Sequence, residues 1–251
     1  MKKNIWIIGC SSGIGLQLVK LYLQEGYNVI ASARSASKSY ELEELNKIYK
    51  SSLKIVDIDV SNTQIVENST QQAFEYYDTI DMVLFNAGVY EVMNSDNWDI
   101  KHFENMTNIN YLGAIRVINA LLPYFDKQGF GRCVFNASLS SYFGLPYGGA
   151  YSATKSALVN FAQSIQPELL TKNVQIQIIN HGFVNTRLTQ KNDFDMPELM
   201  DAKTAALNIF KGLENEYRFE IRFPFKLSLF LKLLNILPYK FSLAITKRLL
   251  K

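Results

Sequence analysis

Short apolar runs alternate with stretches of helical periodicity along most of the chain. No other feature limits the possible folds so tightly. Residues 4–8, 28–33, 53–58, 81–85, 133–137 and 174–180 read as strands. Residues 13–25, 38–50, 62–77, 103–125 and 152–170 read as helices; in the first of these, Ile14, Leu18, Leu21 and Tyr22 recur at helical spacing. Such alternation predicts βαβ units and a parallel sheet. Continuous apolar strands such as Ile5-Trp6-Ile7-Ile8 suit a sheet covered by helices on both faces. A doubly wound α/β fold is expected. At 251 residues the chain is long enough for one large domain of this kind.

A glycine loop follows the first strand and opens the first helix: Gly9-Cys10-Ser11-Ser12-Gly13-Ile14-Gly15. Gly9 permits a tight turn, Gly13 lets backbone approach a pyrophosphate, and Gly15 lets the helix pack close to the sheet. The helix N-terminus then offers unpaired N–H groups and positive potential to phosphates. Alternatively, this is only a glycine-rich turn. The end of the second strand reads Ala31-Ser32-Ala33-Arg34-Ser35. An acid there would bind the NAD ribose and repel a 2′-phosphate, but Arg34 instead offers a planar cation suited to phosphate. NADP(H) is therefore expected over NAD(H), against a solvated surface Arg34.

Tyr151-Ser152-Ala153-Thr154-Lys155 sets a phenol and an ammonium four residues apart, on one face at the start of a helix. A phenol with its usual pKa near 10 is a poor acid–base group at neutral pH, and a neighbouring cation should lower it. Such a pair could exchange a proton with a carbonyl or alcohol oxygen. Ser138, just past the strand at 133–137, could hydrogen-bond that oxygen or merely cap a loop.

Together these motifs resemble the short-chain dehydrogenase/reductase superfamily over roughly residues 4–190, which implies a Rossmann-type fold. Gly9, Gly13 and Gly15 match its glycine loop, and Ser11, Ser12 and Ile14 belong to the same loop. The resemblance implies an adenine-binding pair at Asp59-Val60, and at Asn86-Ala87-Gly88 a motif that stabilises the sheet beside the cofactor. It implies catalytic roles for Asn110, Ser138, Tyr151 and Lys155, with Lys155 also holding the nicotinamide ribose and Asn110 holding a proton-relaying water. Gly182 and Thr186 fall in the family's segment beside the carboxamide. Three positions depart from the pattern. Ile8 replaces a threonine that steadies the loop, His181 replaces a proline, and Pro167 interrupts the Tyr151 helix, where a kink is expected. His181 reads as a backbone-packing residue, with a substrate or nicotinamide contact as the alternative.

The activity implied is hydride transfer between NADP(H) and a carbonyl or secondary alcohol, in the direction of reduction. Tyr142, Phe143, Leu145 and Tyr147 lie where the family's pocket wall is and suggest an apolar small-molecule substrate. A catalytically idle NADP-sensing protein is the alternative on the same fold, and a methyltransferase a third. No metal and no nucleic acid is expected. Cys10 and Cys133 read as core residues of a protein in a reducing, cytoplasmic compartment. Lys2 and Lys3 precede too short an apolar run for a signal peptide. Helices 103–125 and 152–170 resemble the family's subunit contacts, so a homodimer or homotetramer is expected.

The chain divides into 1–216, the dinucleotide-binding catalytic domain, and a C-terminal extension at 217–251 of two short helices separated by Pro238. The extension holds eight Lys or Arg against the single acid Glu220, a balance of +7 that leaves −4 for the other residues of a chain totalling +3. Ser228, Lys232 and Asn235 form a narrow polar stripe on its first half. Lys240, Lys247 and Lys251 line the second, against Phe241, Leu243, Ile245, Leu249 and Leu250. Each half is too short to cross a bilayer. Two readings stand: amphipathic helices on an anionic membrane surface, or a hairpin packed over the substrate mouth or in a subunit interface with solvated lysines. The two are compatible.

Overall fold

A computed structural model of the chain describes residues 2–250; Lys251, counted among the basic residues above, lies outside them. Seven parallel strands form the central sheet: β1 (Asn4–Ile8), β2 (Asn28–Ala33), β3 (Leu53–Asp57), β4 (Met82–Phe85), β5 (Gly131–Asn136), β6 (Val174–His181) and β9 (Glu220–Phe223). Their order is β3-β2-β1-β4-β5-β6-β9, with β1 pairing β2 on one side and β4 on the other. The chain therefore reverses direction across the sheet beside β1, and a crevice opens at the strands' carboxyl ends there. β7 (Val184–Asn185) and β8 (Met200–Asp201) form a separate two-stranded pair.

Helices cover both faces. Helices α1 (Gly13–Gln24), α2 (Tyr40–Ile48) and α7 (Ala202–Leu213) pack on one; α3 (Thr63–Tyr76), α5 (Gly113–Gln128) and α6 (Gly149–Leu170) pack on the other. The strands' alternate side chains feed the two cores: Ile5 and Ile7 enter the first, Trp6 and Ile8 the second, all four buried. Two-sided burial is why β1 reads as an unbroken apolar run. Cys10 and Cys133 are free and buried, as the sequence predicts.

Several expectations need correction. Residues 103–125 are not one α-helix. Helix α4 (Ile100–Met106) passes through a π-helical turn at Thr107–Leu112 into α5. The π turn carries Asn110, and such turns concentrate at functional sites. α6 starts at Gly149, so Tyr151 already lies within its first turn, and the helix runs on through Pro167 without a break.

The boundary at 216 also shifts. Glu220–Phe223 is the sheet's edge strand, so the extension proper begins at Pro224. It comprises α8 (Phe225–Ile236) and α9 (Tyr239–Lys247). The Glu198 carboxylate accepts from the Leu227 N–H at 2.9 Å and anchors the start of α8. The stripe on α8 does not face water as a unit. Ser228 is fully buried and Lys232 is half-buried against Glu220, leaving Asn235 outside.

Candidate active site

The crevice holds a cavity of about 700 Å³ that runs from the glycine loop to α8. Gly9, Ser11, Ser12, Gly13 and Ile14 form one end. Arg34, Asp59, Val60, Asn86, Ala87 and Gly88 line it further on, as do Ser138, Tyr151, Lys155 and Gly182, while Thr186 lies against Gly13 of the glycine loop, 3.2 Å from where a Cβ would stand. Of the residues expected in the site, Gly15 and Asn110 stand behind this wall.

The glycine loop has its shape for steric reasons. Gly9 has φ of +89°, and a Cβ there would lie 2.4 Å from the Ala87 nitrogen. A Cβ on Gly15 would lie 2.3 Å from the Gly9 carbonyl oxygen. Any side chain would therefore push the loop off the strand or the helix off the loop. With Ile8 buried in the core, Asn86 steadies the loop. Its Nδ2 donates to the Gly9 carbonyl at 2.6 Å, and its Oδ1 accepts from Asn136 Nδ2 at 2.6 Å. Ser12 precedes α1 but makes no side-chain cap, whereas Ser39, Asn62 and Asp201 all cap their helices. The first N–H groups of α1 thus face the cavity with unfilled donor capacity. Arg34 stands at the flank, and Arg187 donates to Ser12 Oγ at 2.6 Å. A glycine-built cradle, open N–H groups and two guanidinium groups fit a dinucleotide carrying an extra phosphate.

At the other end, β5 and α6 place the polar groups. Tyr151 and Lys155 lie one helical turn apart, with Lys155 Nζ 5.5 Å from the centre of the Tyr151 ring. The Nζ donates to the Asn136 carbonyl at 2.7 Å, which fixes the lysine. Ser138 is hydrogen-bonded to the Tyr151 phenol, and its Oγ accepts from the Ser140 N–H at 3.2 Å. Tyr90 meets Tyr151 edge-on, with ring centres 5.0 Å apart. Asn110 braces this arrangement from behind. Its Nδ2 donates to the Val89 carbonyl at 2.9 Å and to Thr154 Oγ1 at 3.2 Å, and its Oδ1 accepts from the Val89 N–H at 2.8 Å.

Burial sets the electrostatics and reverses one expectation. It pushes the Tyr151 phenol up to about 12; the bond to Ser138 opposes this and Tyr90 adds to it. It also pushes Lys155 down to about 8. The sequence reading has the ammonium lowering the phenol. In the folded cleft, desolvation penalises the charged form of each group and sets the direction of both shifts. Tyr151 is thus a protonated acid at neutral pH. Burial likewise pushes His181 down to about 4, with the Gly182 carbonyl opposing and Lys155 reinforcing the fall. Its Nδ1 lies 2.7 Å from the Gly182 carbonyl, so the neutral ring donates there and keeps Nε2 as an acceptor. This is the backbone contact expected, made at the cavity edge. Asp59 is held below the usual carboxylate range, chiefly by the Ser61 hydroxyl.

A family model described as short chain dehydrogenase matches residues 3–196. The chain belongs to the short-chain dehydrogenase/reductase family. It is an oxidoreductase by membership, and the family uses a nicotinamide cofactor. An uncharacterized oxidoreductase of Myxococcus xanthus is 28% identical over 243 residues, covering 97% of this chain and 96% of its own. One from Staphylococcus epidermidis is 27% identical over 207 residues, 82% of this chain and 89% of the relative. A short chain dehydrogenase from Burkholderia cenocepacia, solved in complex with NADP, superposes with a TM-score of 0.83 at 19% identity, covering 100% of this chain and 98% of the other. ElxO with NADP bound gives 0.79 at 23% identity over 88% of this chain and 98% of its own. At these identities the superpositions show the shared fold.

Some of the wall escaped the sequence reading. Arg187, Tyr90, Phe194, Leu227 and Leu231 all line the cavity. Arg187 follows Thr186 directly, yet in sequence it is indistinguishable from a solvated arginine. Conversely, of the four aromatic and aliphatic residues expected in the wall, only Leu145 lines it. Tyr142 turns away and donates to Glu220 Oε1, Phe143 packs with the α8 leucines, and Tyr147 stacks on Phe194 at 6.1 Å. The loop has a second apolar neighbour in α8, and that neighbour takes two of its side chains.

Proposed function

We propose that the protein reduces the carbonyl group of an apolar small molecule with NADPH. The observation that carries this reading is the meeting of Ser138, Tyr151 and Lys155 at one end of a cavity whose other end is the glycine loop flanked by Arg34 and Arg187. When bound, the cofactor supplies a hydride to the carbonyl carbon. Ser138 orients the substrate oxygen, and Tyr151 donates its proton to that oxygen as the negative charge develops. A phenol that burial keeps protonated suits this direction. Lys155 then restores the proton from its own ammonium, whose lowered affinity makes the transfer easier, and it holds the ribose hydroxyls. Asn110 braces the Val89 backbone beside Lys155, and the remaining acceptor capacity of Oδ1 suits the water that would carry protons onward.

Asp59 and Val60 would take the adenine, Asn86, Ala87 and Gly88 would border the cofactor, and Gly182 and Thr186 would face the carboxamide. Arg34 favours the 2′-phosphate of NADP; neighbours of the same fold are solved with NADP and with NAD, so the choice rests on Arg34. An apolar substrate is supported by Leu145, Phe183, Phe194, Leu227 and Leu231 in the wall. The two buried thiols suit a reducing cytoplasm. Pairing of subunits through α5 and α6, as in the family, would give a dimer or tetramer, which light scattering at micromolar concentration reads directly. The chemical test is NADPH oxidation followed across ketones, aldehydes and keto-lipids. We expect turnover with an apolar carbonyl; NADPH binding without turnover on any member would leave the idle sensor as the better reading.

A further inference from the structure

Helices α8 and α9 carry more apolar surface than their packing uses: α8 buries Leu231 and Leu234 beside Ser228 and leaves Leu229 and Leu233 outside. Helices on a water-soluble protein bury their leucines and expose their serines. Here Ser228 and Ser242 are fully buried and Thr246 nearly so. Each hydroxyl is satisfied within its own helix: Ser228 Oγ donates to the Phe225 carbonyl at 3.2 Å, Ser242 Oγ to Tyr239 at 3.4 Å, and Thr246 Oγ1 to Leu243 at 3.3 Å. On α8, Ser228 shares the packed side with Leu231 and Leu234, which join Leu139 in a small apolar cluster. The outward side carries Leu229, Phe230, Leu233, Ile236, Phe241 and Leu243, with Ile236 81% exposed and Leu233 53%. Leu229, Phe230, Leu233 and Ile236 fall on one side of α8, and exposed apolar surface of this kind marks an interaction surface.

Charge identifies what meets it. Between residues 217 and 250 every exposed charged side chain is basic: Arg218, Arg222, Lys226, Lys240, Lys247 and Arg248. The one acid, Glu220, is turned inward. Burial works to raise its pKa, but hydrogen bonds from Tyr142, Asn180 and Lys232 outweigh it and keep the carboxylate ionised. The C-terminal surface thus combines apolar side chains with six exposed cations, and the one exposed acid against it, Glu198, is bonded to the Leu227 N–H. Among the described residues no helix is long and apolar enough to cross a membrane. At 12 and 9 residues, α8 and α9 are about 18 and 14 Å long, short of the ~30 Å hydrocarbon core.

We propose that the α8–α9 hairpin docks in the plane of an anionic lipid bilayer, with its apolar face in the acyl boundary and its cations among the headgroups. The docking does not depend on the redox reading. It also sets the active site against the membrane, because the inner face of α8 places Leu227 and Leu231 in the cavity wall.

Sedimentation of the full chain with phosphatidylcholine vesicles, with and without phosphatidylglycerol, tests the proposal. We expect pelleting with the anionic vesicles that weakens as salt rises, and little with phosphatidylcholine alone. The triple change Lys226→Glu, Lys240→Glu and Lys247→Glu should weaken binding by at least about 100-fold, since each basic residue near an anionic surface contributes about fivefold. The triple change Leu233→Asp, Ile236→Asp and Phe241→Asp alters only exposed side chains, so circular dichroism should be unchanged while pelleting is lost. Absence of wild-type pelleting with anionic vesicles would overturn the proposal, as would equal binding to both lipids. So would a dimer that the aspartate variant dissociates in a protein that ignores vesicles, which would assign the face to a second copy of the chain.

Discussion

The body of the molecule and its C-terminal helices differ in how much apolar side chain they leave in water. In the body, Trp6, Ile7 and Ile8 are fully buried in a sheet sandwiched by helices, and most of the charge faces water. In the C-terminal helices Leu231 and Leu234 are buried with Ser228 and Ser242, while Leu229, Leu233, Ile236, Phe241 and Leu243 remain exposed. The hydrophobic effect is the same in both regions, so the difference lies in the partner each surface is made to meet. Polar groups buried in the body also serve a different end. Tyr151, Lys155 and His181 lie in a cleft where burial moves each towards its neutral form. The hydroxyls of Ser228, Ser242 and Thr246 carry no charge to move and close on their own helices.

The sharpest separation of the two regions comes from the phenol. Tyr151→Phe keeps the ring against Tyr90 but removes the proton, so turnover should fall by at least about 100-fold while NADPH binding and vesicle pelleting persist. Wild-type turnover in that variant would remove Tyr151 from the chemistry. A charge at the far end of the same cleft comes next. Arg34→Asp should weaken NADPH relative to NADH by about 10- to 100-fold, the range of one charged hydrogen bond. Steady-state kinetics with both cofactors would show it, and a wild type that already prefers NADH would refute the role given to Arg34.

Acid should probe the burial of the cleft itself. His181 stays neutral down to about pH 4 when folded but takes a proton from about 6.5 when unfolded. The unfolded chain binds more protons across that window, so stability is lost as pH falls from 6.5 to 4. The share from His181 is on the order of 2–3 kcal/mol. Denaturant melts of wild type and His181→Asn at pH 7 and pH 4.5 should differ by a smaller acid loss in the variant. An equal loss in both would mean that the imidazole is not shielded. The smallest effect belongs to the seam between the regions. Lys232→Met breaks the 2.9 Å pair with Glu220 that ties α8 to β9. The pair is partly solvated, so a cost of about 1 kcal/mol in thermal stability is expected.

Much of this was legible in the sequence. The alternation of apolar runs and helical periods gave the parallel sheet, and the positions of Gly9, Gly13, Tyr151 and Lys155 located both ends of the cleft. Boundaries failed where tertiary pairing took over. Residues 220–223 form only a four-residue strand among basic and apolar neighbours, and no local signal separates them from the tail that follows. The π turn at Asn110 was not legible in 103–125, because a change of helix type is written in backbone hydrogen bonds and apolar residues continue on both sides of it.

Sequence by itself determined the class of fold and the identity of the reacting groups, because both rest on local rules: period, glycine geometry and spacing along a helix. Only the tertiary structure decided which way those groups titrate and which way the hairpin faces. Tyr151 and Lys155 are adjacent in any reading, but the desolvation that moves both is exerted by walls drawn from distant parts of the chain. Likewise α8 shows a low-contrast pattern on which a polar stripe reads as its wet face. Glu220 on β9 pairs with Lys232, and Glu198 before β8 accepts from the Leu227 N–H, so Ser228 and Lys232 turn inward while Asn235 stays outside. Those partners are distant in sequence, and no local period encodes which of two faces they will hold.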